Sequence, residues 1–430
     1  MPPAILLPSF RTPQSSLPRR LRHRLFLFAS MLLAMLMLAA CSREPAPRAA
    51  LSQDVYVWQR QWTPALRAAL TASDPQVARW HVLAAELGVS GRWIDVAPDA
   101  ALLAGTGKPL LMTVRINGQL ARFDAAAIET HILAQVEAWR RSGIAPAALE
   151  IDYDCPTARL PEYTAFLARL KPKLGATALT VTALPTWLES PRLDGLLAAA
   201  DEATLQAHAV LDPRQGLFDP ERARVWMEQF AKRTRQPWHV ALPAYGSRVV
   251  WDGNGGIAAV ESERPTLAGG VASELVAQPR QLARFVAGIE RSQPPGLVGI
   301  AWFRVPTGDD RRAWSLSTWL AVLERRQLQE KLEVRFADAG AGQADGSLRE
   351  VVLDNAGAAD APLPTRIRIE TGCAGDSGGD GINGYTMESD ARGRYLRLTQ
   401  AGMLRAGTRR HVGWLRCQGT AGDATLQIGS

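Results

Sequence analysis

The sequence has few of the residues and motifs on which metal-dependent and nucleotide-dependent enzymes rely. Its 430 residues include 6 histidines and 4 cysteines, and the histidines are scattered along the chain. It contains no HExxH or phosphate-loop motif and no CxxC pair. A zinc site or a nucleotide site therefore has little basis, and we expect no cofactor.

The net charge of the chain is +7, but most of this excess lies in one segment. Residues 1–40 contain five arginines and no acid, and the remaining residues carry a net charge of +2. Basic residues interleaved with aromatic ones, which are typical of nucleic-acid binding, are missing, so we expect no nucleic-acid partner. The composition, 47% hydrophobic and 21% charged, is that of a globular protein and excludes disorder or a coiled coil for most of the chain.

The first 40 residues have the order of an export signal. A basic stretch, Arg19–Arg24, precedes an apolar run of about 14 residues, which is too short to span a bilayer, where roughly 20 are needed. Leu38-Ala39-Ala40-Cys41 resembles the bacterial lipobox, in which the cysteine is lipidated. The resemblance implies a signal peptide over 1–40, a lipid on Cys41 that anchors the chain to a membrane, and a tether over 41–53. An uncleaved N-terminal anchor is the alternative.

This resemblance also implies a location in the cell envelope. Ser42 is not the aspartate associated with inner-membrane retention, which favours the outer membrane, facing the periplasm. Disulfides are permitted there. Lipidation of Cys41 leaves three cysteines: we predict a disulfide between Cys373 and Cys417, which both lie in the C-terminal region, and a buried free thiol at Cys155.

Eight short apolar runs alternate with amphipathic segments over residues 54–328. The runs are Asp54–Trp62, Arg79–Leu87, Pro109–Asn117, Ala148–Cys155, Ala178–Pro185, Ala203–Leu211, Pro237–Tyr245 and Leu297–Val305, with Arg92–Val96 as an additional candidate strand. The clearest helical patterns are Ala125–Arg141, Pro161–Leu170, Pro220–Lys232 and Arg311–Arg325. This alternation predicts an α/β fold, a (β/α)8 TIM-like barrel. A doubly wound sheet is the alternative, but no glycine-rich turn follows the first run.

The pattern changes beyond residue 328. Short alternating runs separated by Gly, Asp and Asn turns replace the helical spacing over 329–430. The runs are Leu332–Phe336, Leu348–Leu353, Thr365–Ile369, Tyr395–Leu398 and His411–Arg416. We predict a small all-β sandwich domain.

The fourth run carries three acids on one face. Glu150, Asp152 and Asp154 alternate with apolar residues, so all three should point toward the barrel axis, with successive acids about 6.6 Å apart along the strand. Mutual repulsion should raise the pKa of at least one of them. A carboxylic acid that stays protonated beside an ionised one is what general acid catalysis of glycoside cleavage uses. An arginine-paired structural cluster and a calcium site are the alternatives.

Two family resemblances follow from these residues. Glu150-x-Asp152-x-Asp154 resembles the Asp-x-Asp-x-Glu signature of the family 18 glycoside hydrolases, the chitinase-like barrels. Asp154 then falls on the acid/base glutamate, with aspartate in its place, and Asp152 falls on the central aspartate. The segments LEIDYDCPT, TALPTWL and GIAWFRVPTG, with the lipobox, are similar to a bacterial family catalogued as domain of unknown function 3142.

Other polar and aromatic residues at strand ends could complete a substrate site. Arg115 or Arg304 could balance the acids, and Tyr245 or His208 could orient a substrate or relay a proton. Trp302 resembles the tryptophan that floors the sugar site in chitinase-like barrels, although core packing is the alternative. The full set of predicted substrate-binding residues is Glu86, Arg115, Trp187, His208, Tyr245, Trp302 and Arg304.

Three hypotheses for function follow. The first is an envelope lipoprotein that hydrolyses a polysaccharide, with Asp154 as the general acid, Asp152 tuning it and Glu150 as the third member of the cluster. The second is a barrel that binds carbohydrate without catalysis. The third is a scaffold in an envelope complex, with the sandwich as its docking module.

Overall fold

The computed structural model describes residues 50–208, 216–252, 254, 256–261, 272–338, 348–370, 378–416 and 425–429. Cys41 and the rest of the leader, together with Cys373 and Cys417, lie outside these ranges, so lipidation and the disulfide stay predictions. Cys155 is a buried free thiol, as predicted. Within the described ranges, no helix has both the length and the apolar character needed to cross a membrane.

Eight parallel strands close into a barrel. In chain order, the first twelve strands are β1 (Ser52–Val57), β2 (Arg79–Leu87), β3 (Trp93–Asp95), β4 (Leu110–Ile116), β5 (Ala148–Tyr153), β6 (Ala178–Ala183), β7 (Glu202–Gln206), β8 (Trp238–Pro243), β9 (Gly246–Trp251), β10 (Ile257–Glu261), β11 (Ala272–Val276) and β12 (Leu297–Phe303). The barrel order is β1-β2-β4-β5-β6-β7-β8-β12, and β12 pairs with β1 to close it. The predicted (β/α)8 barrel is confirmed. β3 is the additional strand and lies antiparallel on β2, while β9, β10 and β11 form a separate small sheet after β8.

A helix follows each barrel strand. They are α1 (Pro64–Ser73), α2 (Ala100–Thr106), α3 (Ala125–Arg141), α4 (Leu160–Leu170), α5 (Leu193–Ala199), α6 (Pro220–Arg233), α7 (Pro279–Arg291) and α8 (Leu316–Leu323). Of the predicted helices, the one expected to begin at Arg311 begins five residues later. The reason is local: the Ser315 side chain accepts a hydrogen bond from the Thr318 amide and caps the helix. Upstream, the Asp310 carboxylate accepts from the Arg312 and Ala313 amides and holds an irregular turn.

The C-terminal region is all β, as predicted. Its strands are β13 (Leu332–Asp338), β14 (Leu348–Asn355), β15 (Ala361–Pro362), β16 (Arg366–Glu370), β17 (Gly379–Gly381), β18 (Tyr385–Asp390), β19 (Gly393–Leu398), β20 (Met403–Leu404), β21 (Arg409–Arg416) and β22 (Thr425–Gly429). Eight of them form two four-stranded antiparallel sheets, β13-β14-β21-β17 and β18-β19-β16-β22, and β15 pairs with β20. Val351 and Val412 of the first sheet share a core with Ile367 and Leu396 of the second. This packing of two inner faces is that of a β-sandwich.

The barrel strands place apolar residues outward, under the helices, and polar residues inward. On β12, Ile300 and Trp302 join the large core beneath the helices. Gly299 faces the interior, where an added Cβ would lie 2.1 Å from the Ser52 hydroxyl oxygen and 2.5 Å from the His239 ring. The interior is therefore filled to contact at this level, and the polar side chains of the neighbouring strands occupy it.

Candidate functional site

A network of charged side chains fills the N-terminal half of the barrel interior. Its members are Asp54, Arg79, His81, Glu150, Glu202 and His239, which we call the interior charge network. Arg79 donates to Asp54 (Nε to Oδ2, 2.7 Å) and to Glu202 (Nη2 to Oε1, 2.6 Å). His239 lies 3.2 Å from Asp54 Oδ2 and 3.1 Å from Glu202 Oε1. Three carboxylates thus face one arginine and two imidazoles.

Glu150 belongs to this network. It points inward, as the alternation on β5 predicts, but it has no solvent exposure. The Tyr56 hydroxyl donates to Oε1 (2.8 Å), and the Thr113 hydroxyl (2.9 Å) and His81 Nδ1 (3.0 Å) both contact Oε2. Burial opposes the charge on His81, but the Glu150 and Asp54 carboxylates outweigh it and raise the pKa of His81 to about 9. We therefore correct the predicted catalytic role of Glu150: both of its oxygens are occupied inside the barrel, and it holds the interior together.

The other two acids of the strand lie at the mouth of the barrel. Asp152 is buried, and its Oδ1 accepts from the Thr182 hydroxyl (2.6 Å) and from Gln206 Nε2 (3.3 Å). Asp154 is more open, with 34% of its side chain exposed, and accepts from Arg115 Nη2 at 3.1 Å. Arg115 stands opposite Asp152 across β4 and β5 and opposite Glu86 across β2 and β4. We call Glu86, Arg115, Asp152 and Asp154 the mouth cluster.

The mouth cluster contains three acids and one base, and the pKa values of Asp152 and Asp154 are both raised. Burial raises the pKa of Asp152 to about 7; the neighbouring Asp154 carboxylate adds to the increase, and Arg115 and the Thr182 hydrogen bond offset part of it. Burial also raises the pKa of Asp154, against the lowering effect of Arg115. Two adjacent carboxyl groups therefore differ in surroundings, and near neutral pH the buried one retains a proton.

Aromatic rings form a floor beside the mouth cluster. Phe303 lies at its centre, with ring centroids 5.5 Å from Tyr56, 4.9 Å from Trp58, 5.4 Å from His208 and 5.5 Å from Tyr245. We call these five residues the aromatic floor. The Arg115 guanidinium lies 5.6 Å from the Trp58 ring, so the floor and the cluster are in contact. Phe303 is partly exposed.

The predicted substrate-binding residues divide between this site and other positions. Arg115, Tyr245 and His208 lie at the mouth or in its floor. Burial lowers the pKa of His208 to about 4, and its Nδ1 contacts the Ala241 carbonyl oxygen at 3.2 Å, so the imidazole is neutral near pH 7. Glu86 lies at the edge of the mouth, in an ion pair with Arg60 (2.7 Å).

Three of the predicted residues do not reach the mouth cluster. Trp302 is fully buried on the outer side of the barrel, where its Nε1 donates to Gln53 Oε1 at 2.8 Å. Trp187 is fully buried as well, and its Nε1 donates to the Cys155 carbonyl oxygen. Arg304 is buried and pairs with Asp310, and its guanidinium lies 5.5 Å from the ring centroid of Tyr245 in the aromatic floor. The predicted sugar platforms at Trp302 and Trp187 are thus incorrect, because neither ring has a face open to solvent.

Several residues that support the site were not predicted. Tyr56, Thr113 and Phe303 were missed, although each stands at an inward position of a predicted strand and could have been found by the same alternation. Gly118 was also missed: an added Cβ there would lie 1.8 Å from the Asp154 carbonyl oxygen. Only glycine fits this approach, so Gly118 fixes where the chain carries Asp154. Among the described residues, no group of three or more His, Cys, Asp or Glu side chains is arranged to hold a metal ion.

Comparison with solved structures finds chitinases and spore cortex-lytic enzymes. A chitinase from Chromobacterium violaceum is 14% identical, with a TM-score of 0.45, over 64% of this chain and 98% of that one. A spore cortex-lytic enzyme from Bacillus cereus is 13% identical, with a TM-score of 0.46, over 64% and 74%. A family 18 chitinase from Cycas revoluta in complex with (GlcNAc)3 is 13% identical, with a TM-score of 0.44, over 64% and 98%. No curated protein sequence matches the chain.

Two family models match the sequence. Residues 339–418, which include most of the sandwich, match a domain of unknown function, DUF8456. Residues 106–308 match the domain of unknown function DUF3142, and this range contains β4 to β12 and, of the mouth cluster, Arg115, Asp152 and Asp154. The three barrel segments that resemble this family in the sequence, residues 149–157, 182–188 and 299–308, lie within the matched range, so the resemblance is confirmed for that part of the chain.

Proposed function

We propose that the chain binds a glycan at the mouth of the barrel and hydrolyses one of its glycosidic bonds. The observation that carries the proposal is the pair of adjacent carboxyl groups in different surroundings. Asp152 is buried, with its pKa raised to about 7, whereas Asp154 is about a third exposed. A carboxyl group that keeps its proton at neutral pH next to an accessible one is the arrangement that acid catalysis of glycoside cleavage requires.

In this proposal, Asp152 holds the proton and Asp154 delivers it. The Asp154 carboxyl group gives the proton to the glycosidic oxygen as the bond from that oxygen to the anomeric carbon breaks. A water oxygen then bonds to the anomeric carbon, and the water proton returns to the carboxyl pair, so the site is restored. Arg115 is a positioning residue that holds Asp154 before the substrate binds.

The aromatic floor supplies the apolar surface that a sugar ring needs. Trp58 lies against Arg115 of the mouth cluster, and Phe303 packs on Trp58 and is partly exposed. The face of a sugar ring carries C–H groups that pack on an aromatic ring, while its hydroxyl groups bind carboxylates and guanidinium groups. A glycan is therefore a better match to this mixture of groups than a purely ionic or purely apolar ligand.

Binding without hydrolysis is a second candidate. It is favoured by the hydrogen bond from Arg115 to Asp154, because this bond stabilises the ionised form of the more exposed carboxyl group of the Asp152–Asp154 pair. A site whose accessible carboxylate is held in this way can hold sugar hydroxyl groups without transferring a proton.

One experiment separates the two candidates. The full chain, Asp154→Asn and the surface control Asp194→Asn are incubated with a panel of neutral and acidic glycans, including GlcNAc oligomers, and reducing ends and binding are measured separately. Hydrolysis predicts turnover by the wild type and by Asp194→Asn, and a loss of at least about 100-fold in Asp154→Asn. Binding without turnover would establish the second candidate. Neither binding nor turnover over the whole panel would refute both.

We also propose that the chain is a lipoprotein anchored in the outer membrane through Cys41. The support is the order of basic stretch, apolar run and Leu38-Ala39-Ala40-Cys41 in the sequence. Labelling of growing bacterial cells with radioactive palmitate should mark the wild-type chain but not Cys41→Ala. Equal labelling of the two chains would refute the anchor.

A further inference from the structure

A groove that the proposed function does not use runs between the barrel and the sandwich. A cavity of about 600 Å³ lies there, walled on the barrel side by the turn before α8 and on the sandwich side by residues 400–403. It adjoins a cavity of about 330 Å³ beside β1 and the end of β12, because Asp309 lines both. It also adjoins a shallow cavity on the sandwich, because Gln400 and Arg410 line both. We call the interdomain cavity and its extension on the sandwich the basic groove.

The charge of the basic groove is strongly positive. The charged residues that line it are Arg311, Arg312, Arg405, Arg409, Arg410, Asp309 and Asp360, together with His411. One of the two acids is already occupied: Asp360 is 1% exposed and accepts from the Ser315 amide (2.7 Å), the Ser315 hydroxyl (2.6 Å) and the Ala406 amide (2.9 Å). Arg409 pairs with Asp354 (3.5 Å) and His411 lies 2.7 Å from Glu350, so the excess of guanidinium groups in the groove comes from Arg311, Arg312, Arg405 and Arg410.

Two of these arginines have no carboxylate to neutralise them. In the part of the chain that the structure describes, neither Arg311 nor Arg410 has an ion-pair partner, and Arg311 is exposed while Arg410 is partly exposed. They come from different domains, one from the turn before α8 and the other from β21, and they meet on the same cavity. A surface that gathers unpaired cations from two domains is suited to an anion that is longer than a single group.

The walls of the basic groove are fixed to each other. Arg405 of the sandwich donates from Nη1 to the Asp310 carbonyl oxygen (3.0 Å) and from Nη2 to those of Thr307 and Trp314 (both 3.3 Å). The Asp360 contacts with Ser315 lie beside this clamp. The groove is thus formed before any ligand arrives, and binding needs little reorganisation.

The lining favours an acidic polysaccharide over a nucleic acid. Among the described lining residues, Trp314 has the single aromatic ring apart from the imidazole of His411, and Trp314 is 2% exposed, so no large ring is open for a base to stack on. A polysaccharide with a carboxylate on each sugar presents anions at regular intervals, and a guanidinium binds a carboxylate through two parallel hydrogen bonds. The shared Asp309 joins the groove to the 330 Å³ cavity, whose Arg60 pairs with Glu86 of the mouth cluster, so one polysaccharide chain could extend from the groove to the mouth.

We propose that the basic groove binds an acidic polysaccharide whose sugars carry carboxylates and directs it to the barrel mouth. The choice of a glycan as ligand rests on the proposed function, whereas the preference for negative charge rests on the groove itself.

The test uses the full chain, purified in detergent, with polygalacturonate oligomers as the probe. Calorimetric titration at 50 mM and 500 mM NaCl gives Kd for the wild type, for the double variant Arg311→Gln/Arg410→Gln and for the control Arg291→Gln/Arg392→Gln. The control removes two exposed arginines that do not line the groove. We expect about tenfold weaker binding in the groove variant, little change in the control and weaker wild-type binding at high salt. Equal Kd values for the three proteins, or equal binding of dextran, would overturn the proposal, and so would displacement of the probe by single-stranded DNA at equal charge concentration.

The outcomes also separate this inference from the proposed function. If polygalacturonate binds through the groove but no glycan in the panel is cleaved, the proposal of hydrolysis is refuted and the proposal of a polysaccharide-binding groove is supported. If a neutral glycan is cleaved at the mouth and polygalacturonate does not bind, the proposal of a polysaccharide-binding groove is refuted and the proposal of hydrolysis is supported.

Discussion

Replacing Asp152 by asparagine should change how the stability of the protein depends on pH. The side chain is 4% exposed and accepts hydrogen bonds from Thr182 and Gln206. Burial raises its pKa to about 7, with a further contribution from Asp154. Asparagine has nearly the same shape but does not ionise, so the substitution removes the titration together with a packing change that does not depend on pH.

The sign of the effect follows from where the proton binds more tightly. In the unfolded chain Asp152 titrates near 3.8, and in the folded chain near 7. Its contribution to stability is therefore complete below pH 3.8 and is lost as the pH rises through 7. At 1.36 kcal/mol per pKa unit this amounts to about 4 kcal/mol, of which about 3 kcal/mol falls between pH 5 and pH 8. Relative to the wild type, the variant should become more stable by that amount over this interval.

Urea unfolding of the wild type and Asp152→Asn at pH 5 and pH 8 measures the difference directly. Asp201→Asn is the matched control. Burial opposes ionisation of Asp201, but the Leu179 amide and Lys171 lower its pKa, so it is ionised at both pH values and its substitution should change stability equally at both. If Asp152→Asn also changed stability equally at pH 5 and pH 8, the reasoning about the mouth cluster would be wrong.

Two other substitutions test the supports of the site. Gly118→Ala should lower the free energy of unfolding by about 2 kcal/mol and reduce glycan turnover, because the new Cβ would clash with the Asp154 carbonyl oxygen. The control Gly195→Ala, on α5 with open space around it, should be neutral or stabilising by up to about 1 kcal/mol. Equal effects of the two substitutions in chemical denaturation would contradict the predicted clash. His81→Gln should destabilise the protein by about 3 kcal/mol at pH 6 and by much less at pH 10. The pKa of His81 is raised to about 9, so the contribution of its charge to stability is lost as the pH rises through that value. A loss of stability that does not depend on pH would refute a charged His81.

The sequence was sufficient to predict the barrel because each strand has a signal of its own. Parallel strands covered by helices are short and apolar, and an amphipathic helix follows each one, so the alternation can be recognised without knowing any contact. The period of two on β5 was enough to predict that Glu150, Asp152 and Asp154 share the inner face. The period of two could not predict that both Glu150 oxygens accept hydrogen bonds inside the barrel, because Tyr56 and His81 lie 94 and 69 residues away in the sequence.

The sequence contains a signal for which residues of β12 face the barrel interior, and the prediction for Trp302 did not use it. Trp302 was assigned to the site by its resemblance to a family position. Gly299 must face the interior, since the Ser52 and His239 side chains leave no room for a Cβ there. With residues alternating along the strand, Ala301 and Phe303 then face inward and Trp302 outward. A glycine and an alanine two residues apart in an apolar strand are therefore better guides to the crowded inner face than the largest aromatic residue nearby.

The two levels of the barrel interior divide structural and chemical roles. In the interior charge network, three carboxylates are matched by an arginine and two imidazoles in short contacts, so a change of protonation there costs stability. In the mouth cluster, three acids share Arg115, with Arg60 at the edge, and the excess negative charge is relieved by a proton on Asp152. A proton that is held by repulsion and burial, next to a carboxylate open to solvent, can be released and regained near neutral pH. Acid–base chemistry in this barrel is therefore expected at Asp152 and Asp154, and the third acid of the same strand serves to fix the floor beneath them.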